Sequence, residues 1–287
     1  MDVNRLNNLN PNEATIALLR ERAQFIRLET IRLIEIAKVG HYTSVFSAAE
    51  IFSVLYYDVM NISDDPRWPD RDRFLMGKGH AAVGLFGILA DKGFIPTDML
   101  NGYTRLGNPL GDHPDMRKVP GIDFSSGSIG HALSNGLGMA LGGKMQSRDF
   151  FTFVMLGDGE MQEGQVWEAA LSAAHLGLSR LVAIIDRNGF QLDGAVDEVM
   201  GIEPLDAKWK AFGWEVQIVD GHDVSALTTA LRMAKADVDR KSPLCIIAKT
   251  IKGKGIGYME SEPGWHLGYL DPYDAELAKK EILSRVI

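Results

Sequence analysis

Two oxygen-bearing side chains lie at the ends of successive apolar runs in residues 156–194, LGDGEMQEGQVWEAALSAAHLGLSRLVAIIDRNGFQLDG. Asp158 sits just beyond FFTFVML, and Asn188 directly follows LVAIIDR, with room for one helical crossover between them. If the two runs are neighbouring parallel strands, both side chains arrive at one edge of a sheet. A carboxylate and an amide carbonyl suit Mg²⁺ or Ca²⁺, and Mg²⁺ usually takes one or two protein oxygens and completes its shell with phosphate oxygens. The glycines flanking Asp158 let a phosphate approach the backbone closely, and the amides that open the next helix favour an anion. The chemistry available to these residues is to hold a diphosphate through a divalent cation.

The elements that must position this pair can be read along the chain. Residues 12–39 carry Ile16, Leu19, Ala23 and Ile26 at helical spacing, and SAAEIFSVLYYDVM (47–60) reads as a second helix. Together they predict an N-terminal helical arm over residues 1–60. DRFLMGKGH combines a brief strand with a glycine turn, and AAVGLFGILADKGF reads as a small-residue helix suited to close packing. Residues 105–129 carry glycine, proline and aspartate too densely for a regular element, and an ordered loop of that length usually shapes a site. Four later apolar runs, near 150–156, 181–187, 215–220 and 244–250, alternate with helical segments, and a final helix is expected over 272–286. This alternation predicts an α/β fold with a mostly parallel central sheet and helices on both faces. No repeat, low-complexity tract or linker divides it, so residues 1–287 are read as one domain.

Composition narrows the function classes. A chain of 287 residues that is 46% hydrophobic can bury a full core. The formal charge of −8 leaves no basic footprint, which argues against nucleic acid or an anionic membrane as a partner. Cys245 is the sole cysteine and sits inside PLCIIAKT, where it reads as a small core residue in a reducing compartment. The polar start MDVNRLNNLNPNEA and the lack of an apolar run of about 18 residues predict neither signal peptide nor membrane span, so a cytoplasmic location is expected. Neither a GxGxxG fingerprint nor a Walker A sequence is present.

GDG, then roughly thirty residues, then an asparagine resembles the thiamine-diphosphate motif, and QEG, EA and DG fall where transketolases carry them. The resemblance to the transketolase family runs over nearly residues 12–275 and implies the thiamine-diphosphate-binding fold. It implies that Gly157, Asp158, Gly159, Glu160 and Asn188 hold thiamine diphosphate. Mg²⁺, with Ca²⁺ or Mn²⁺ able to substitute, would sit on Asp158, Asn188 and the backbone carbonyl of Phe190. Leu192 would pack on the thiazolium, with Gly127 and Ile129 beside the cofactor rings. Four histidines stand in matching contexts: His41 in KVGHYT, His80 in MGKGHAA, His113 in LGDHPD and His266 in GWHLG. By resemblance, His80 and His266 touch the diphosphate or the substituents of the reacting carbon, while His41 and His113 meet substrate hydroxyls and the carbonyl oxygen. Imidazoles near neutrality can exchange protons with a developing alkoxide. Glu163 and Glu168 would lie at the contact between two cofactor-binding halves, and the basic segment from Lys249 to Gly257 would shape a lid. Arg187 replaces the first of two asparagines usual at that place, and His131 and Ala132 stand where many members have glutamine and glycine.

The glutamate that activates the cofactor in this family belongs to a second, pyrimidine-binding domain, and this chain stops about where that domain would begin. The resemblance therefore implies the N-terminal subunit of a split transketolase, acting on sugar phosphates with a separate C-terminal subunit in an α2β2 assembly. The reaction implied is transfer of a two-carbon ketol unit from a ketose phosphate to an aldose phosphate. Rival readings are a deoxyxylulose-phosphate synthase-like chain, a 2-oxoacid dehydrogenase E1 subunit, or a non-catalytic diphosphate-binding scaffold. The combined KGH, DHP and WH sequences favour the transketolase.

Overall fold

A computed structural model of the chain describes residues 9–192 and 194–285. The first eight residues of the expected arm and the last residue of the expected C-terminal helix lie outside the described residues. Helix α1 spans Glu13–Ala37; the Asn12 side chain accepts from the Thr15 amide at 2.8 Å, and Lys38 closes the helix in a left-handed conformation. Of the four positions expected at helical spacing, Leu19, Ala23 and Ile26 are buried and Ile16 is partly so. Arg27 lies on the same buried side and is compensated by Glu50, at 2.7 and 3.0 Å. Short helix α2 (Tyr42–Phe46) and helix α3 (Ala49–Val54) follow, the latter running into a π-helical turn over Leu55–Val59.

Strand β1 (Arg73–Met76) leads to helix α4 (Ala82–Asp91), and residues 103–130 contain no α-helix or strand, in line with the predicted loop. Then come α5 (His131–Met145), β2 (Thr152–Gly157), α6 (Gly164–His175) and β3 (Leu181–Arg187). A two-residue-arm hairpin, β4 (Phe190–Gln191) and β5 (Gly194–Ala195), is followed by α7 (Val196–Met200) and α8 (Leu205–Ala211). The chain closes with β6 (Glu215–Asp220), α9 (Val224–Ala236), β7 (Leu244–Lys249) and α10 (Pro272–Ser284). The main sheet has the order β1-β2-β3-β7-β6 and is parallel throughout. The α/β fold class with a parallel central sheet is as the sequence indicates.

Alternation along the strands feeds two cores. Phe153, Met155, Val182 and Ile184 pack against α1, α3, α4, α9 and α10, whereas Val154, Leu156, Ala183 and Ile185 pack against α5, α6 and α8. Cys245 belongs to the second core, fully buried, and burial pushes its thiol pKa up. Helix α5 approaches β2 through Gly136, where an added Cβ would lie 2.5 Å from a Val154 methyl. The register sets Gly157 of β2 beside Asp186 of β3, so Asp158 and Asn188 leave adjacent strands at nearly the same height. No helix among the described residues is long and apolar enough to cross a membrane.

Candidate active site

The carboxyl ends of β2 and β3 and the turns after β1 and β7 enclose a cavity of about 270 Å³, with Asp158 and Asn188 both in its lining. Asp158 is almost wholly buried. Its Oδ1 accepts from the Gly159 amide at 2.8 Å, and its Oδ2 accepts from the Gly189 amide at 2.6 Å and from Arg187 at 3.2 Å. Burial pushes its pKa up to about 6, with the Asp186 charge adding, against the pull of the Gly189 amide and Arg187. Asn188 donates to Asp186 at 3.2 Å, and its oxygen accepts from the Phe190 amide at 3.0 Å. Phe190 and Leu192, from the hairpin strand β4 and its turn, line the same cavity.

This geometry fits a cation-held diphosphate. Among the described residues no three His, Cys, Asp or Glu side chains form a metal-holding group. An ion here would be met by the Asp158 carboxylate and the Asn188 amide oxygen, with further oxygens from its ligand. A buried carboxylate of raised pKa gains from an arriving cation. Gly157 lines the cavity, and a Cβ there would meet no protein atom within 4 Å, so its backbone leaves that space open. Two ammonium groups supply positive charge: Lys78 and Lys252 are both in the lining and nearly buried. Lys78 donates to the Ser44 carbonyl at 2.6 Å and pairs with Asp186; Asp186 also accepts from Ser47 at 2.6 Å and from Thr250. Burial drives the Asp186 pKa up, but Lys78 and the hydroxyl donors more than offset it and hold it below the usual range. Burial, with the Lys78 charge, brings Lys252 down to about 8, still mostly protonated at neutrality.

The expected histidines separate into a cluster and a rim. His41, His80 and His266 form a triangle with ring centroids 4.9, 5.3 and 5.2 Å apart. His80 and His266 line the cavity, whereas His41 touches both rings without being in the lining. His80 Nε2 lies 3.0 Å from the Ser44 hydroxyl, and His266 Nδ1 lies 3.0 Å from Lys252. Burial and the neighbouring positive groups hold the His80 pKa well below its ordinary value, and burial with Lys252 brings His266 to about 3. Both are neutral imidazoles at pH 7, each with one N–H to donate and one nitrogen to accept, so a proton can pass through the ring without leaving charge on it. His113 is outside the cavity lining and about half exposed; Asp112 reaches it at 3.4 Å and reaches His41 at 3.5 Å. Gly127 is also outside the lining, whereas Ile129 is in it.

Glu160 also lines the cavity and is nearly buried, accepting from the Gly130 amide at 2.7 Å and the Gly157 amide at 3.1 Å; burial raises its pKa to about 7. Gly130 is left-handed (φ 87°), and an added Cβ would lie 2.8 Å from the Glu163 side chain. Glu163 and Glu168 are exposed. Sequence reasoning missed Ser44, Lys78, Asp186 and Lys252. Lys78 was accessible as the residue two before His80 in MGKGH, and Asp186 as a lone acid ending an apolar run. The basic stretch expected as a lid is packed down at Lys252 and Ile256, both nearly inaccessible to solvent.

A parallel sheet covered on both faces carries at its carboxyl edge an oxygen pair for a cation, buried ammonium groups and neutral imidazoles. Those features define an α/β domain whose site suits a diphosphate and a divalent cation. Residues 19–282 match the family described as transketolase, thiamine diphosphate binding domain, and the chain belongs to the transketolase family. It is 39% identical over 259 residues to a subunit of the apulose-4-phosphate transketolase of Phocaeicola vulgatus, covering 89% of this chain and 91% of that one. It is also 39% identical to the 6-deoxy-6-sulfo-D-fructose transketolase subunit SqwG of a Clostridium species, covering 86% and 90%. The solved transketolase of Leishmania mexicana superposes with a TM-score of 0.88 at 28% identity, over 93% of this chain but 42% of that one. The chain thus spans about two-fifths of the length of that solved enzyme.

Proposed function

We propose that this chain is the N-terminal, diphosphate-binding subunit of a split transketolase, which with a separate C-terminal subunit moves a two-carbon ketol unit from a ketose phosphate to an aldose phosphate. The observation that carries this is the convergence of Asp158, Asn188, His80 and His266 on one cavity. Relatives named as transketolase subunits of similar length support the division into two chains.

In this reading Asp158, Asn188 and the Phe190 carbonyl hold Mg²⁺, for which Ca²⁺ or Mn²⁺ can substitute. Gly157, Gly159, His80 and His266 receive the diphosphate, and Glu160 anchors the Gly130 and Gly157 amides beneath it. Leu192 and Ile129 flank the thiazolium, with Gly127 beside the cofactor. Bound thiamine diphosphate would supply the carbanion chemistry that breaks and forms a carbon–carbon bond beside a carbonyl. The chain's own groups bind and handle protons: His80 and His266 exchange them with substrate oxygens near the cofactor. His41 supports both rings, and His113 reaches substrate hydroxyls from the rim. Exposed Glu163 and Glu168 face the partner subunit in an α2β2 assembly, and the setting is cytoplasmic.

Reconstitution tests the proposal. The purified chain and the product of the adjacent reading frame should together transfer a ketol unit across a panel of ketose phosphates, while neither is active alone. Turnover by this chain alone would refute the shared site. Cofactor binding without turnover in the mixture would favour a scaffold.

A further inference from the structure

A second cavity, of about 540 Å³, lies at the opposite edge of the sheet and shares no lining residue with the first. It is bordered by the segments that enter β2, β3 and β7, whereas the cofactor cavity is built where those strands end. Its lining includes Lys144, Arg148, Arg180, Arg240 and Lys241 against a single carboxylate, Asp149, in a chain of formal charge −8.

Much of that charge is already engaged. Lys144 donates to the Leu176 carbonyl just past the end of α6 at 2.8 Å, Arg148 pairs with Asp70 at 2.6 Å, and Arg180 pairs with Asp149 at 2.8 Å. Arg240 and Lys241 differ. Arg240 is 6% exposed, and its Nε and Nη2 both donate to the Ser179 carbonyl, at 3.2 and 2.6 Å. Among the described residues no carboxylate lies within ion-pair distance of it; Glu215 and Asp237 act on it from farther off. Among the described residues the other two buried arginines each hold a carboxylate: Arg27 has Glu50 and Arg71 has Asp123. A buried charge without a counterion is costly, and a mobile anion in the cavity would supply one. Lys241 is exposed beside it with no ion pair among the described residues. The volume suits a small molecule, for which sites of roughly 300–1,000 Å³ are usual. Phe150, Leu178 and Val238 offer an apolar wall for an organic portion.

We propose that this cavity binds a small polyphosphate anion, with Arg240 and Lys241 as its principal contacts, independently of the thiamine-diphosphate pocket. A compact anion is favoured over an acidic protein segment because the cationic groups converge on a concavity rather than spreading over a flat face.

Equilibrium dialysis of labelled pyrophosphate and of ADP against the chain saturated with thiamine diphosphate and excess Mg²⁺ tests this. Saturable binding of one or both is expected, weakening with added salt. Lys241→Glu should lower the affinity about tenfold through reversal of one nearby charge. Arg240→Lys keeps the charge but loses the planar fork and should weaken binding less. Tighter binding of ADP than of pyrophosphate would assign a nucleotide; equal binding would assign the inorganic group. The proposal is overturned if neither probe saturates, if Lys241→Glu binds as the parent chain does, or if added thiamine diphosphate displaces the probe. Capture of poly-glutamate without binding of either probe would also overturn it.

Discussion

The Asp158 carboxylate meets the Gly189 amide and the Arg187 guanidinium, so a divalent ion must share it with a cation already present. Arg187 is at the same time paired with Glu203, at 2.9 Å, and reaches Asp197 at 3.8 Å, so those carboxylates can keep it when an ion arrives. The help Arg187 gives in ionising Asp158 is replaced by the field of the arriving divalent ion, so its repulsion of that ion is what remains. Arg187→Asn should therefore tighten Mg²⁺ binding to the cofactor-loaded chain by about tenfold, roughly 1.4 kcal/mol, in a calorimetric titration. Equal or weaker binding would show that Arg187 does not oppose the ion. Asp158→Ala should abolish Mg²⁺-dependent retention of thiamine diphosphate while circular dichroism stays that of the parent chain; unchanged cofactor affinity would contradict the ligand assignment. At this scale the residues legible in the sequence are those attached to strand ends or glycine turns. The Lys78–Asp186–Ser47–Thr250 cluster was not legible, since its four members come from four separate segments and meet only after folding.

Helix α5 shows how an element's composition records its packing. Gly136 faces β2, where a methyl group would lie 2.5 Å from Val154, while Gly138 on the outer side has nothing within 4 Å of an added Cβ. Alanine in a helix interior is worth about 1 kcal/mol over glycine, whereas overpacking costs about 1–3 kcal/mol. Gly138→Ala should raise the denaturation free energy by up to about 1 kcal/mol, and Gly136→Ala should lower it by about 1–2 kcal/mol, the packing cost exceeding the helix gain. Urea unfolding of both variants checks the pair, and equal shifts would remove the packing explanation. HALSNGLGMALGG shows the small-residue character of this helix, but which glycine touches the sheet depends on the helix's rotation against β2. The strands were more legible, since apolar runs buried on both faces announce a parallel sheet.

Across the whole molecule, buried acids of opposite tendency set the response to pH. Asp158, at about 6, and Glu160, at about 7, have pKa values raised by burial above the ordinary 3.9 and 4.3, so they contribute stability that is complete below about pH 4 and is lost as pH rises through 6 and 7. For Glu50 burial works upward, but Arg27 and His222 hold its pKa down at about 2, so its contribution is present above about pH 4.3 and is lost as pH falls toward 2. Each shift corresponds to on the order of 3 kcal/mol. The cofactor-free chain should thus be most heat-stable near pH 4 by these groups, where Asp158 and Glu160 are still protonated and Glu50 is already ionised, and saturation with thiamine diphosphate and Mg²⁺ should move that optimum upward by engaging ionised Asp158. Differential scanning calorimetry across pH 3–8 checks this; a melting temperature climbing steadily from pH 4.5 to 7.5 without cofactor would sink it. The sequence by itself determined the α/β class, the alternation of strands and helices, and the Asp158–Asn188 pair, because those follow from local apolar periodicity and from residues tied to strand ends. Tertiary structure alone decided the strand order, the three-histidine triangle, the burial of Lys252 and the uncompensated Arg240, because each depends on which distant segments share one volume and exclude water from it.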